Sequence, residues 1–101
     1  MNALPVMTIK IESGSKSWHV TTWVQWPGWV HPAETHSPAY TLAGAIQETM
    51  YRAVTLGAVI DSIIVNGKRW TLQQALTKAG PRVLDYQRQD IERMIQRSAV
   101  A

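Results

Sequence analysis

The chain has 101 residues, of which 46% are hydrophobic and 17% charged, and its formal net charge is +3. This length and composition are typical of one globular domain with a modest core, and they argue against global disorder. The absence of cysteine excludes disulfides, thiolate zinc sites and cysteine nucleophiles. We therefore predict a single domain over residues 1–101.

Two features that the sequence lacks bear on where in the cell the protein is expected. No run approaches the roughly 18 apolar residues that span a bilayer. The first six residues, Met1 to Val6, lack the charged start and apolar stretch of a secretory signal. We therefore expect a cytoplasmic protein that does not contact a membrane.

The first half of the chain predicts a β-hairpin. Residues 6–12 alternate well enough for a strand, a Ser-Gly turn follows, and residues 17–26 alternate again. Successive side chains of a strand point to opposite faces, and the face with the larger apolar set is expected to be buried. In the second strand that face holds Trp18, Val20, Thr22, Val24 and Trp26. The opposite face holds His19, Thr21, Trp23 and Gln25.

Prolines at positions 27, 32 and 38 predict an irregular loop from Pro27 to Tyr40, with at most a short strand around Trp29 and Val30. A helix is expected next, over residues 42–56, because apolar residues recur there at helical spacing. Thr41 is typical of a helix N-cap, and Gly57 of the residue that ends a helix.

The second half predicts another hairpin and more helix. Residues 58–65 suit a buried strand, Asn66-Gly67 a type I′ turn, and residues 68–70 the returning strand. Thr71 and Gln74 fit a capping box for a short helix to about Lys78, and residues 82–98 suit a long helix. The fold class is α+β: a small antiparallel sheet packed against one main helix, with a C-terminal hairpin and helices.

The tryptophans mark the candidate binding surface. Four of the five tryptophans and all three histidines fall between Trp18 and His36, and the chain has no phenylalanine. Tryptophan anchors cores and interfaces because it offers a large apolar face at little entropic cost. We expect Trp18 and Trp26 in the core. The residues predicted to contact a partner are Trp23, Gln25, Trp29, His31 and Tyr40.

His31, Glu34 and His36 lie within one short segment, and zinc takes such ligands. The segment lacks the i, i+4 helical spacing of metalloproteases, so a histidine-containing surface loop is the simpler interpretation and no metal is expected. No nucleophile elbow, phosphate-cradling loop or spaced acid pair supports catalysis. We predict no catalytic residue and no cofactor. A metal-dependent hydrolase that uses His31 and His36 is a less favoured hypothesis.

Charge is unevenly distributed, because residues 1–66 carry net −1 and residues 67–101 carry net +4. Cations that neutralise phosphates are what nucleic-acid binding requires, so a basic C-terminal third is the alternative functional surface. Three acidic residues interrupt its helix, which favours a solvated amphipathic helix instead. The cations concerned are Lys68, Arg69, Arg82, Arg88, Arg93 and Arg97.

The order of elements resembles the HicB-type antitoxins. Residues 8–11, a turn and residues 18–24 resemble that family's opening hairpin. Residues 26–30 are similar to its Leu-Pro-Gly-Cys turn, and residues 41–45 to its Thr-Leu-Glu-Glu-Ala helix start, with Ala43-Gly44 in place of the two glutamates. The resemblance covers about the first half of the chain. It implies a small sheet covered by a helix, in a family whose domain masks a toxin and whose appended C-terminal module binds operator DNA.

These observations favour a small non-catalytic binding or inhibitor protein of phage or mobile-element type, either anti-defence or antitoxin-like. Such a protein would occlude a host protein or nucleoprotein complex through its tryptophan-rich surface. Direct nucleic-acid binding by the basic third is the alternative. A flat apolar patch at Trp23 and Trp29 would serve a homodimer equally well.

Overall fold

The computed structural model describes residues 4–80, and within them five strands and two helices form an α+β fold. The predicted α+β class, with one main helix packed on a sheet, is confirmed. The sheet order is β3-β2-β1-β4-β5. The elements are β1 (Val6–Ser13), β2 (Trp18–Gln25), β3 (Ala33–Ala39), α1 (Leu42–Leu56), β4 (Val59–Val65), β5 (Lys68–Trp70) and α2 (Leu72–Ala79).

The core lies between one face of the sheet and the two helices. Strand β1 is central, and its alternate residues Met7, Ile9 and Ile11 are fully buried, as the alternation of that strand predicts. Helix α1 buries an apolar stripe at helical spacing against them. The core also includes Val20, Val24, Ala45, Ile46, Met50, Ala53, Ala58, Ile60, Ile63, Val65, Ala75, Leu76 and Ala79.

Local signals placed the helix ends and the second turn correctly. The Thr41 hydroxyl accepts the Gly44 N–H at 3.0 Å, and Gly57 ends α1 in the left-handed region at φ 65°. Thr71 and Gln74 form both bonds of the predicted capping box. Asn66 and Gly67 have φ of 48° and 78°, as a type I′ turn requires.

The predicted loop over residues 27–40 is wrong in its second half. Residues 33–39 form β3, which pairs antiparallel with β2, whereas Trp29 and Val30 lie in the connection before it. Side chains of β3 alternate between half-buried and exposed, which is the strand pattern that the prolines obscured. Because β3 is an edge strand, Pro38 can occupy it despite lacking a backbone N–H.

The prediction of an antiparallel sheet is wrong in one respect: the sheet is mixed, because β4 lies parallel to β1, with a register shift between Met7 and Thr8. Helix α1 makes the crossover that a parallel connection needs. The β4–β5 hairpin is antiparallel, as predicted. The long helix predicted over residues 82–98 lies outside the described residues.

Candidate functional site on the open sheet face

One face of the sheet is covered by the helices, and nothing in residues 4–80 covers the other, which we call the open face. The strand register sets which side chains share it. Trp23 lies opposite Glu34, and Thr21 lies opposite His36. Strand β1 adds its own outward residues beside β2. The outward residues of these three strands are Val6, Thr8, Lys10, Glu12, His19, Thr21, Trp23, Gln25, Glu34, His36 and Pro38.

Four of these side chains form a hydrogen-bonded chain, which we call the open-face network: His19, Trp23, Glu34 and His36. The Trp23 indole Nε1–H donates to Glu34 Oε1 at 2.6 Å. The other carboxylate oxygen, Oε2, lies 2.6 Å from His36 Nε2. His36 Nδ1 is in turn 3.1 Å from His19 Nε2, with the two ring centroids 5.3 Å apart. The network therefore ties β3 to β2 through side chains as well as backbone.

The Glu34 carboxylate determines which ring nitrogens in this network carry a proton. An ionised Glu34 can only accept, so His36 Nε2 carries a proton and donates it. In neutral His36 the remaining nitrogen, Nδ1, then accepts, either from His19 Nε2–H or from the Thr21 hydroxyl at 3.3 Å. The hydrogen bond from His36, and after it the bond from Trp23, hold the pKa of Glu34 below its usual value.

This lowered pKa predicts a pH dependence of stability that Glu34→Gln removes. A carboxyl whose folded-state pKa is depressed stabilises the fold above its unfolded pKa, and this contribution is lost as pH falls through the folded pKa. The wild type should therefore lose stability below about pH 4.5, the ordinary value for Glu34, more steeply than Glu34→Gln. Denaturant unfolding at a series of pH values measures this difference.

Glu48→Gln on α1 is the matched control, because it removes the same charge from an exposed position outside the network. Its stability should follow the wild-type pH profile. Equal slopes for the wild type and Glu34→Gln would show that the network does not stabilise the ionised carboxylate.

The open face also has a shallow cavity of about 250 Å³, lined by Lys10, Glu12, His19, Thr21, Trp23 and His36. Thr21, His36 and Glu34 follow the order of a nucleophile, a base and an orienting acid. A nucleophile must reach its substrate, however, and Thr21 is only 6% exposed. Its hydroxyl lies 3.3 Å from His36 Nδ1, within the sheet.

The residues predicted to contact a partner separate into two groups. Trp23 and Gln25 lie on the open face, and the Gln25 amide donates to the Trp29 carbonyl at 2.7 Å, holding the turn after β2. Trp29 is 58% exposed, with its ring 6.3 Å from that of Trp26. Tyr40 follows the far end of β3, about 20 Å from the end of that strand nearest Trp29 at the usual rise per strand residue.

The other tryptophans and His31 differ in burial and in position. Trp18 and Trp26, predicted in the core, are half-buried and pack against it. Trp23 is half-buried on the other face. His31 is exposed in the connection between β2 and β3 and takes no part in the open-face network. Within residues 4–80 no group of three or more histidine, aspartate or glutamate side chains is arranged to hold a metal ion.

The alternative basic surface is only partly within the described residues. Lys68 and Arg69 are neighbours on β5, so their side chains leave opposite faces of the sheet. The Arg69 guanidinium lies 3.4 Å from the Asp61 carbonyl oxygen. The four remaining predicted cations lie outside the described residues: Arg82, Arg88, Arg93 and Arg97.

Sequence reasoning missed the pairing of His19 with His36. It grouped His36 with His31 because both belong to one short segment of sequence. The signal was present in the alternation of His19, Thr21 and Trp23, and in the spacing of Glu34 and His36. These two patterns meet only once β3 is recognised as the neighbour of β2.

Comparison of the chain with family models, curated proteins and solved structures finds no match. Among the described residues, neither helix combines the length and apolar character needed to cross a bilayer.

Proposed function

We propose that this chain is a non-catalytic binding protein that docks a protein partner on its open face and on the adjoining connection, residues 26–32. The exposure of Trp29 and Val30, at 58% and 87%, is the observation that carries this proposal. Large apolar side chains held in water beside a polar surface are typical of an interface whose centre is apolar and whose rim is polar.

The turn that presents these two side chains is braced from the open face. Trp29 N–H donates to the Trp26 carbonyl at 3.1 Å, and Gln25 bonds both the Trp26 and Trp29 carbonyls. An anchor that is already ordered loses less conformational entropy on binding than a mobile one. Trp29 is therefore prepared to act as an anchor for a partner.

The charges of the open face favour a protein partner over a nucleic acid. Lys10 is engaged by Glu12 at 2.8 Å, and Glu34 adds a second carboxylate. A phosphate backbone approaching this face would meet acidic groups rather than a continuous set of cations. A protein surface can instead match both signs and cover the apolar turn.

An inhibitor works by occluding its partner in this way. The proposed interface therefore fits the class expected from the sequence, an anti-defence or antitoxin-like protein of phage or mobile-element type. The resemblance to the HicB-type antitoxins supports the same class, because members of that family mask a toxin. The partner would be a host protein or the protein component of a nucleoprotein complex.

Affinity purification from the native host, with quantitative mass spectrometry, tests the proposal. The double variant Trp29→Ala, Val30→Ser should lose a partner that the wild type retains. Tyr51→Ala is the matched control, since Tyr51 is 56% exposed on α1, away from the open face, and its loss should leave capture unchanged. The double variant should remain folded, because both side chains are largely exposed.

Other results would point elsewhere. A partner retained equally by the wild type and the double variant would overturn the proposed interface. Capture of nucleic acid, with an affinity that falls steeply as salt rises, would support the basic C-terminal surface instead. Self-association that the double variant abolishes would identify a second copy of the chain as the partner.

A further inference from the structure

Two ring nitrogens on the open face point at each other. His19 Nε2 and His36 Nδ1 are 3.1 Å apart, at diagonal positions of neighbouring strands where long side chains meet. A neutral ring nitrogen without a proton is a lone-pair acceptor. Two such acceptors would repel at this distance, so the contact requires a hydrogen or a metal ion between the two nitrogens, and His19 Nε2–H donating to His36 Nδ1 is one such arrangement.

The surroundings of His36 match those of a metal ligand. Metal-binding histidines usually donate their second ring N–H to a carboxylate, which fixes the ring and leaves the other nitrogen free to coordinate. His36 Nε2 makes this contact with Glu34 at 2.6 Å. Glu34 is held in turn by the Trp23 indole at 2.6 Å. The available nitrogen, Nδ1, is the one that faces His19.

We propose that His19 Nε2 and His36 Nδ1 form a two-imidazole binding site for a divalent transition-metal ion of the Zn²⁺ or Cu²⁺ kind. Imidazole is a preferred ligand of these ions. Bonds of 2.0–2.1 Å at tetrahedral angles separate two nitrogens by about 3.4 Å, so a small adjustment of either ring would admit the ion.

The rest of the coordination sphere is open. Only two protein ligands converge here, and no ligand group of three or more side chains occurs within residues 4–80. Water fills the other positions, and the cavity of about 250 Å³ above the pair has room for it. The Thr21 hydroxyl, 3.3 Å from His36 Nδ1, can hydrogen-bond such a water. Metal binding at this histidine pair requires no protein partner.

Calorimetric titration of the full chain with Zn²⁺ near neutral pH, repeated with Cu²⁺ and Mg²⁺, tests the site. The wild type should bind one Zn²⁺, bind Cu²⁺ more tightly, and give no heat with Mg²⁺. His19→Ala and His36→Ala should each abolish binding. His31→Ala is the matched control and should bind as the wild type does, because His31 is exposed outside the network.

Glu34→Gln tests whether Zn²⁺ binding depends on the Glu34 carboxylate or only on two neighbouring histidines. Loss of the carboxylate behind His36 should weaken Zn²⁺ binding by about tenfold to a hundredfold without changing the stoichiometry. Nitrogen NMR of the wild type needs no variant to fold: Zn²⁺ should shift the resonances of His19 Nε2 and His36 Nδ1. A wild type that binds no Zn²⁺, unchanged binding in His19→Ala, or shifts at His31 instead would overturn the proposal.

Discussion

Replacing Ile9 with alanine is expected to lower the free energy of unfolding by about 2–5 kcal/mol, the range for truncating a fully buried isoleucine. Ile9 is fully buried on the central strand, between its β2 and β4 neighbours and beneath the helices. Because Ile9 is surrounded by other protein groups, the cavity left by alanine can shrink only if close-packed neighbours shift. Since a domain of this size has only about 5–15 kcal/mol of stability, the loss would be a large fraction of the total.

Chemical denaturation followed by tryptophan fluorescence measures this effect. Ile64→Ala is the matched control, because it removes the same atoms from a half-buried position on the next strand, β4. Its loss should be less than half that of Ile9→Ala. Equal losses for the two variants would contradict the assignment of the core to the helix-covered face.

Replacing Trp29 with alanine is expected to weaken partner binding by at least about 30-fold, which corresponds to the loss of roughly 2 kcal/mol typical of an interface hot spot. Trp29 is 58% exposed beside the open face, and the Gln25 amide donates to its carbonyl and holds the turn in place. The free energy of unfolding should change little, since most of the Trp29 side chain is already in water.

Calorimetry or biolayer interferometry with the captured partner gives the affinities. Tyr40→Ala is the matched control, because Tyr40 is 94% exposed yet lies at the opposite end of β3. It should bind within a few-fold of wild type. A larger loss for Tyr40→Ala than for Trp29→Ala would move the interface to the other end of the sheet.

The elements that sequence predicted well are those encoded by adjacent residues. Thr41 marks the start of α1 and Gly57 its end, because an N-cap and a left-handed terminal residue each act within one helical turn. Asn66-Gly67 specifies its turn by backbone conformation alone. Strand β3 was missed because its identity comes from pairing with β2, while Pro32 and Pro38 locally favour irregular backbone.

In the candidate site too, the features predicted well are local in sequence, and those missed depend on strand pairing. Trp23 was predicted on the open face from strand alternation, which is a local property. The contact between His19 and His36 depends on the β2–β3 register, and nothing in either segment specifies that register alone. Tyr40 was predicted to contact the same partner as Trp29, but an extended β3 sets the two at opposite ends of that strand.

Hydrogen–deuterium exchange of the chain, alone and bound to its captured partner, tests whether the open face and the 26–32 connection form the interface. Binding should slow exchange across residues 18–39, most strongly in the connection, and leave the exposed side of α1 unchanged. Protection confined to α1, with residues 18–39 exchanging as in the free chain, would contradict it.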